Sequence, residues 1–171
     1  MDRAFTIVEL LIVIVVIAIL AAISITAYNG IQDRASDSGV SSDLANFMKR
    51  AEVFAIDNGR YPINDAELSS LSLKATKNLY IQYPTVSHNL IPCYDSPSGA
   101  FAVAAISKSG KRLFSINGRG VQEYTGTTSW IGSNRQTSVC TSIMPNSNFI
   151  ANGVGYYFNG TDSQWRTWID G

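Results

Sequence analysis

A single histidine, His88, occurs in the sequence, so one chain cannot assemble a histidine metal cluster. The two cysteines, Cys93 and Cys140, show no zinc-ligand spacing. Neither sign of charge dominates. Lys plus Arg number 13 and Asp plus Glu number 13, which argues against a strongly basic nucleic-acid-binding surface. No phosphate-binding Gly-rich loop and no nucleophile elbow is present. Ser, Asp and His all occur, but not in a spacing that suggests a triad, and each reads more simply as a surface residue. There is no internal repeat and no long low-complexity linker. The expectation is a non-enzymatic protein with no catalytic residues, no metal and no cofactor.

What the sequence does contain is one long apolar run near its start. Every residue from Leu10 to Ile23 is apolar, and Glu9 is the only charge between Phe5 and Tyr28. As a helix, that stretch spans about 36 Å, enough for a bilayer core of about 30 Å. A buried soluble helix usually keeps a polar stripe, and this segment has none. Three readings compete. A secretory signal peptide predicts a basic start and a shorter apolar core. A plain membrane anchor tolerates Glu9 near the interface, where a carboxylate reaches water at small cost. A self-assembly helix uses Glu9 to pair with a positive group on another chain. Periodicity does not separate the last two.

The order of residues does. Ala4-Phe5-Thr6-Ile7-Val8-Glu9-Leu10-Leu11-Ile12-Val13-Ile14 closely resembles the N-terminal signature of type IV pilins and pseudopilins. The resemblance continues through Ala21-Ala22-Ile23 to Tyr28 and more loosely beyond. It implies cleavage between Ala4 and Phe5 by a prepilin peptidase, then N-methylation of Phe5. It also implies an assembly role for Phe5 and Glu9, the new amine of one subunit pairing with the carboxylate of its neighbour. Removing one partner of such a buried pair typically costs about 3–5 kcal/mol. Ala4 stands where the family usually has Gly. Thr26 stands where many pilins carry a helix-loosening Pro, which leaves Gly30 and Gly39 as candidate weak points in the helix.

Beyond Tyr28 the helix becomes amphipathic. Val40, Leu44, Phe47, Ala51 and Phe54 recur at spacings of one helical face. The helix should stop near Asn58-Gly59, with Pro62 shortly after. Asn64 with Glu67 three residues on suggests a capped short helix to about Leu73. A loop rich in Pro and Tyr follows. Strands are expected over Phe101–Ser107, Lys111–Ile116 and Val121–Tyr124, with turns at Lys108-Ser109-Gly110 and Asn117-Gly118.

Cys93 and Cys140 bracket this meander. They are either a disulfide or two buried thiols, and an oxidising setting outside the cytoplasm favours the disulfide. In the chain-entropy model a loop of that length gives roughly 4 kcal/mol. The bracketed part resembles the disulfide-closed region of pilins. The chain then runs on to Gly171 through Tyr156, Tyr157, Phe158, Trp165 and Trp168, which reads as a hairpin turning at Asn159-Gly160. Its aromatics either pack into the head or form a surface that grips a glycan or another cell. Packing is the more ordinary outcome. Asn159-Gly160-Thr161 matches a glycosylation sequon, and the turn accounts for it.

The expected fold is α+β: a long N-terminal α-helical spine packed on a small antiparallel β-meander head, with an extra C-terminal hairpin. Its parts are a leader (1–4), a transmembrane or filament-core helix (5–28), the amphipathic half of that helix (29–58), a head (59–140) and an aromatic extension (141–171). The expected function is a structural subunit of a type IV pilus or related filament. A secretion or DNA-uptake pseudopilin, or a minor pilin, is the near alternative. A monomeric membrane-anchored binding module is the distant one. The partners implied by the resemblance are further copies of the chain, a prepilin peptidase and the inner-membrane assembly machinery. The expected location is the cytoplasmic membrane before assembly and a surface filament afterwards.

Overall fold

Helix α1 runs unbroken from Ile7 to Asn58 in the computed structural model, which describes residues 6–81, 90–130, 135–150, 157–159 and 162–164. The chain divides into two compact units, Met1–Ala35 and Ser36–Gly171, and α1 contributes to both.

In the first unit α1 carries no core. Its large apolar side chains, from Ile7 through Leu20 to Ile31, are all exposed. Ser24 turns its hydroxyl back onto the Leu20 carbonyl at 2.8 Å. That is the usual way for a serine to stay inside an apolar helix.

In the second unit α1 buries one stripe. Val40, Leu44, Phe47, Met48 and Ala51 enter a core with Phe101, Val103, Ala105 and Leu113 of a sheet, and Phe54 packs at its margin. This is the stripe expected from the sequence. Gly59, at φ 72°, ends the helix in the left-handed conformation that glycine takes without a Cβ penalty.

Short α2 (Asp65–Ser70) follows, with Asn64 Oδ1 accepting from the Glu67 N–H at 3.0 Å. It stops at Ser70, short of Leu73. The sheet then forms from β1 (Leu90–Asp95), β2 (Ala100–Ile106), β3 (Arg112–Ile116), β4 (Val121–Glu123) and β5 (Asn148–Phe149). Its order is β4-β3-β2-β1-β5, and every pairing is antiparallel.

The expectation of about three strands is therefore corrected to five. β1 lies inside what reads as a loop, because Pro92 argues against a central strand. The geometry resolves the conflict. The Ile150 N–H donates to the Pro92 carbonyl at 3.4 Å, so the nitrogen and carbonyl of Pro92 face β5 and not β2. The missing N–H thus removes no bond from the β1–β2 ladder, in which Pro92 lies opposite Val103.

β2 is buried on both faces. Phe101, Val103 and Ala105 meet α1, while Ala102, Ala104 and Ile106 join a second core with Ile91, Trp130, Val139 and Met144. Val139 and Cys140 lie on α3 (Arg135–Ile143), which covers the sheet face opposite α1. Propensity gives little hint of α3, since Thr, Ser, Val and Cys are mediocre helix formers. Its burial against the sheet and the disulfide between its Cys140 and Cys93 of β1 hold it.

Gly39 has a packing role as well. A Cβ there would lie 2.0 Å from Leu79 Cδ1, so this glycine lets the Lys77–Leu79 turn close onto α1. Gly30 has open space around it and remains the one position where glycine only loosens the helix. The Ser- and Asp-rich stretch near Gly39 is held by tertiary bonds. Asp37 accepts from Ser107 and Ser109 and pairs with Lys111 at 3.6 Å. Asp43 accepts from the Thr76 N–H at 2.7 Å and from Tyr80 Oη at 3.0 Å. Burial, then the nearby Asp43 carboxylate, pushes the Tyr80 phenol well above its ordinary pKa, so it stays a donor.

Candidate assembly helix

The predicted processing residues, Ala4 and Phe5, lie outside the described residues. Glu9 lies in the first turn of α1. Its Oε2 accepts from the Thr6 N–H at 2.9 Å and from Thr6 Oγ1 at 2.7 Å, and the Glu9 N–H returns a bond to Thr6 Oγ1 at 3.3 Å. Thr6 and Glu9 therefore form a reciprocal capping box, with Thr6 at the N-cap and Glu9 three residues on. Two of the backbone donors left over at a helix start are satisfied this way. Thr6 is the residue that the reading of the sequence missed. Its signal, Thr-x-x-Glu just before an apolar run, is present in the chain.

Around this polar start the helix offers only hydrocarbon. Burying a Val, Leu or Ile side chain yields roughly 1.5–3 kcal/mol, so covering the exposed residues from Ile7 to Ile31 is worth on the order of tens of kcal/mol. Among the described residues α1 is the one helix long and apolar enough to cross a membrane. Its burial needs lipid, or apolar surface from other chains. Among the described residues no group of three or more His, Cys, Asp or Glu side chains is placed to hold a metal.

The other predicted positions fall elsewhere. Cys93 on β1 and Cys140 on α3 are bonded to each other, with Cα atoms 5.5 Å apart and both residues fully buried. Of the aromatic extension, Tyr156, Trp165 and Trp168 lie outside the described residues. Tyr157 opens β6 (Tyr157–Asn159), which pairs antiparallel with β7 (Asp162–Gln164). Asn159 lies opposite Asp162, so β6 and β7 pair as the predicted hairpin requires, while Gly160 of its predicted turn lies outside the described residues.

A family described as the prokaryotic N-terminal methylation motif matches residues 1–25. The N-terminal region is thus similar to that of type IV pilin-like proteins. Similarity to individual proteins covers a longer stretch than that motif. The chain is 46% identical over 74 residues to the type IV wide pilus major component of Thermus thermophilus, covering 43% of this chain and 56% of that protein. It is 33% identical over 73 residues to the type II secretion system core protein G of Klebsiella michiganensis, covering 43% and 51%. Against core protein G of Dickeya chrysanthemi it is 30% identical over 75 residues, covering 44% and 49%. The chain spans about half the length of the curated relatives it matches. No solved structure gives a significant match. The long helix, antiparallel sheet and mixed α+β content agree with the α+β fold expected from the sequence.

Proposed function

We propose that this chain is a structural, non-enzymatic subunit of a type IV pilus or related surface filament. One observation carries the reading: an N-terminal methylation motif opens a helix whose large apolar side chains are exposed through Ile31, with a single carboxylate in its first turn. Before assembly the helix anchors the subunit in the cytoplasmic membrane. A prepilin peptidase cuts between Ala4 and Phe5, and membrane-bound assembly machinery extracts the subunit. In the filament the same helix packs against its copies. There the Phe5 amine of one subunit pairs with Glu9 of the next, because neither charge is comfortable alone in a low-dielectric bundle.

A second reading has its own support. Several relatives at about 30% identity are named as type II secretion core proteins, which fits a pseudopilin in a short secretion filament. Electron microscopy of sheared surface fractions, with this chain traced into the density, tests the first reading. Long filaments built of it support a pilin. Filaments that appear only on overproduction support the pseudopilin. A chain found solely as a membrane-bound monomer overturns both.

A further inference from the structure

Large apolar side chains in the described part of the second unit are well covered, with three exceptions: Val53, Ile56 and Ile63. All three fall at the end of α1 or just past it. Of the three, Val53 lines an open groove of about 390 Å³, together with Arg50, Phe54, Asp57, Asn58, Ser70 and Leu71. Arg50 is already engaged, its Nη1 donating to the Leu71 carbonyl at 2.9 Å. Asp57 is exposed and makes no ion pair among the described residues. The groove thus sets the apolar Val53, Phe54 and Leu71 among polar residues, with one unspent negative charge at Asp57.

A matching feature occurs elsewhere on the same unit. β3 and β4 are joined by a tight turn in which Asn117 and Gly118 have φ of 44° and 68°, closed by the Arg119 N–H on the Ile116 carbonyl at 3.0 Å. Asn117 Oδ1 accepts from the Phe101 N–H at 2.9 Å, which fixes the turn to β2. Arg119 follows, exposed and without an ion pair among the described residues. The turn backbone is fixed and lies against Glu52 of α1, while the Arg119 side chain is an exposed cation on a long aliphatic stem, suited to lie along apolar surface while its head meets a carboxylate.

We propose that the occupant of the groove is a second copy of this chain, whose β3–β4 turn places Arg119 along Val53 and Phe54 and against Asp57. The contact joins two different patches, so it is heterologous and repeats without closing, as a helical filament requires. It rests on the filament reading above and adds to it a specific contact between heads.

The test uses full-length chains in intact filaments. Asp57→Cys and Arg119→Cys subunits are co-expressed, the filaments sheared off and oxidised. The two native cysteines are bonded to each other and leave no free thiol. A cross-linked dimer from the mixture, absent when either variant is expressed alone, is the expected result. In parallel, Asp57→Arg and Arg119→Asp should each lower filament yield by about tenfold, and the double reversal should restore it to within about twofold. A merely structural role for either residue would not be rescued by exchanging the charges. Wild-type filaments with no mixed dimer and no rescue overturn the contact and leave the filament reading standing. Absence of wild-type filaments overturns both.

Discussion

Arg60 grips Glu67 with both terminal nitrogens, Nη1 on Oε2 at 2.9 Å and Nη2 on Oε1 at 2.6 Å. The same carboxylate accepts from the Ile63 N–H at 2.8 Å. Two residues just past α1 and in the first turn of α2 thus fix the path of the chain as it leaves the long helix.

That clamp is acid-labile. The bonds from Arg60 come first, with those from Ile63 and Asn64, in lowering the Glu67 carboxyl to about 2 from an ordinary 4.5. A depressed carboxyl stabilises the fold above its unfolded pKa. The contribution is therefore full above about pH 4.5 and fades as pH falls toward 2. Arg60 is well exposed, so solvent screening keeps the contribution modest. Glu67→Gln should cost about 1–2 kcal/mol at neutral pH and progressively less below pH 4.5 in denaturant titrations of the full chain in detergent. An equal deficit at pH 3 and pH 7 would assign the loss to packing.

The two helix glycines should respond in opposite directions. Gly30→Ala should raise helicity in micelles, by up to about 1 kcal/mol in helix stability, since nothing opposes a methyl there. Gly39→Ala should lower stability by about 1 kcal/mol, because the collision with Leu79 outweighs the gain in propensity. Far-UV circular dichroism and unfolding curves distinguish them. Adding Leu79→Ala should remove the penalty of Gly39→Ala. If it does not, the close approach is not the cause.

Breaking the Cys93–Cys140 bond should loosen α3 from β1. Replacing both cysteines with Ala should cost about 2–4 kcal/mol, and wild type under strong reductant should lose a similar amount. Differential scanning calorimetry of the oxidised and cysteine-free chains makes the comparison. Identical melting would show that the two cores hold α3 without the bridge.

Much of this architecture was legible in the chain because strong local signals and tertiary demands agree. The stripe Val40 to Phe54, the stop at Gly59 and the turn at Asn117-Gly118 each combine periodicity or positive φ with a residue suited to it. β1 escaped because Pro92 speaks against a strand, and only its orientation toward β5 reconciles the two. α3 escaped because its stability lies in burial and a covalent bond, neither of which propensity reports. The Thr6–Glu9 box was readable as a motif, but a carboxylate beside an apolar run draws attention to its charge before its hydrogen bonds. Gly39 reads only as a candidate weak point in the helix, and the approach of Leu79 adds a packing role that sequence does not report.

The capping box changes how Glu9 should be tested. Glu9→Val removes the charge and also the bonds to Thr6, so a loss of filaments would have two causes. Glu9→Gln keeps a side chain that can complete the box, since Gln serves at that position, and removes only the charge. The decisive measurement is the yield of sheared surface filaments from Glu9→Gln cells, set against the amount of subunit in the membrane. If Glu9 pairs with the Phe5 amine of a neighbour, the subunit should be present in the membrane at wild-type level. Filaments should fall at least about tenfold, in keeping with a buried cation left unpaired at every contact. Filaments at wild-type yield from Glu9→Gln would contradict the account, leaving the carboxylate as a helix cap and nothing more.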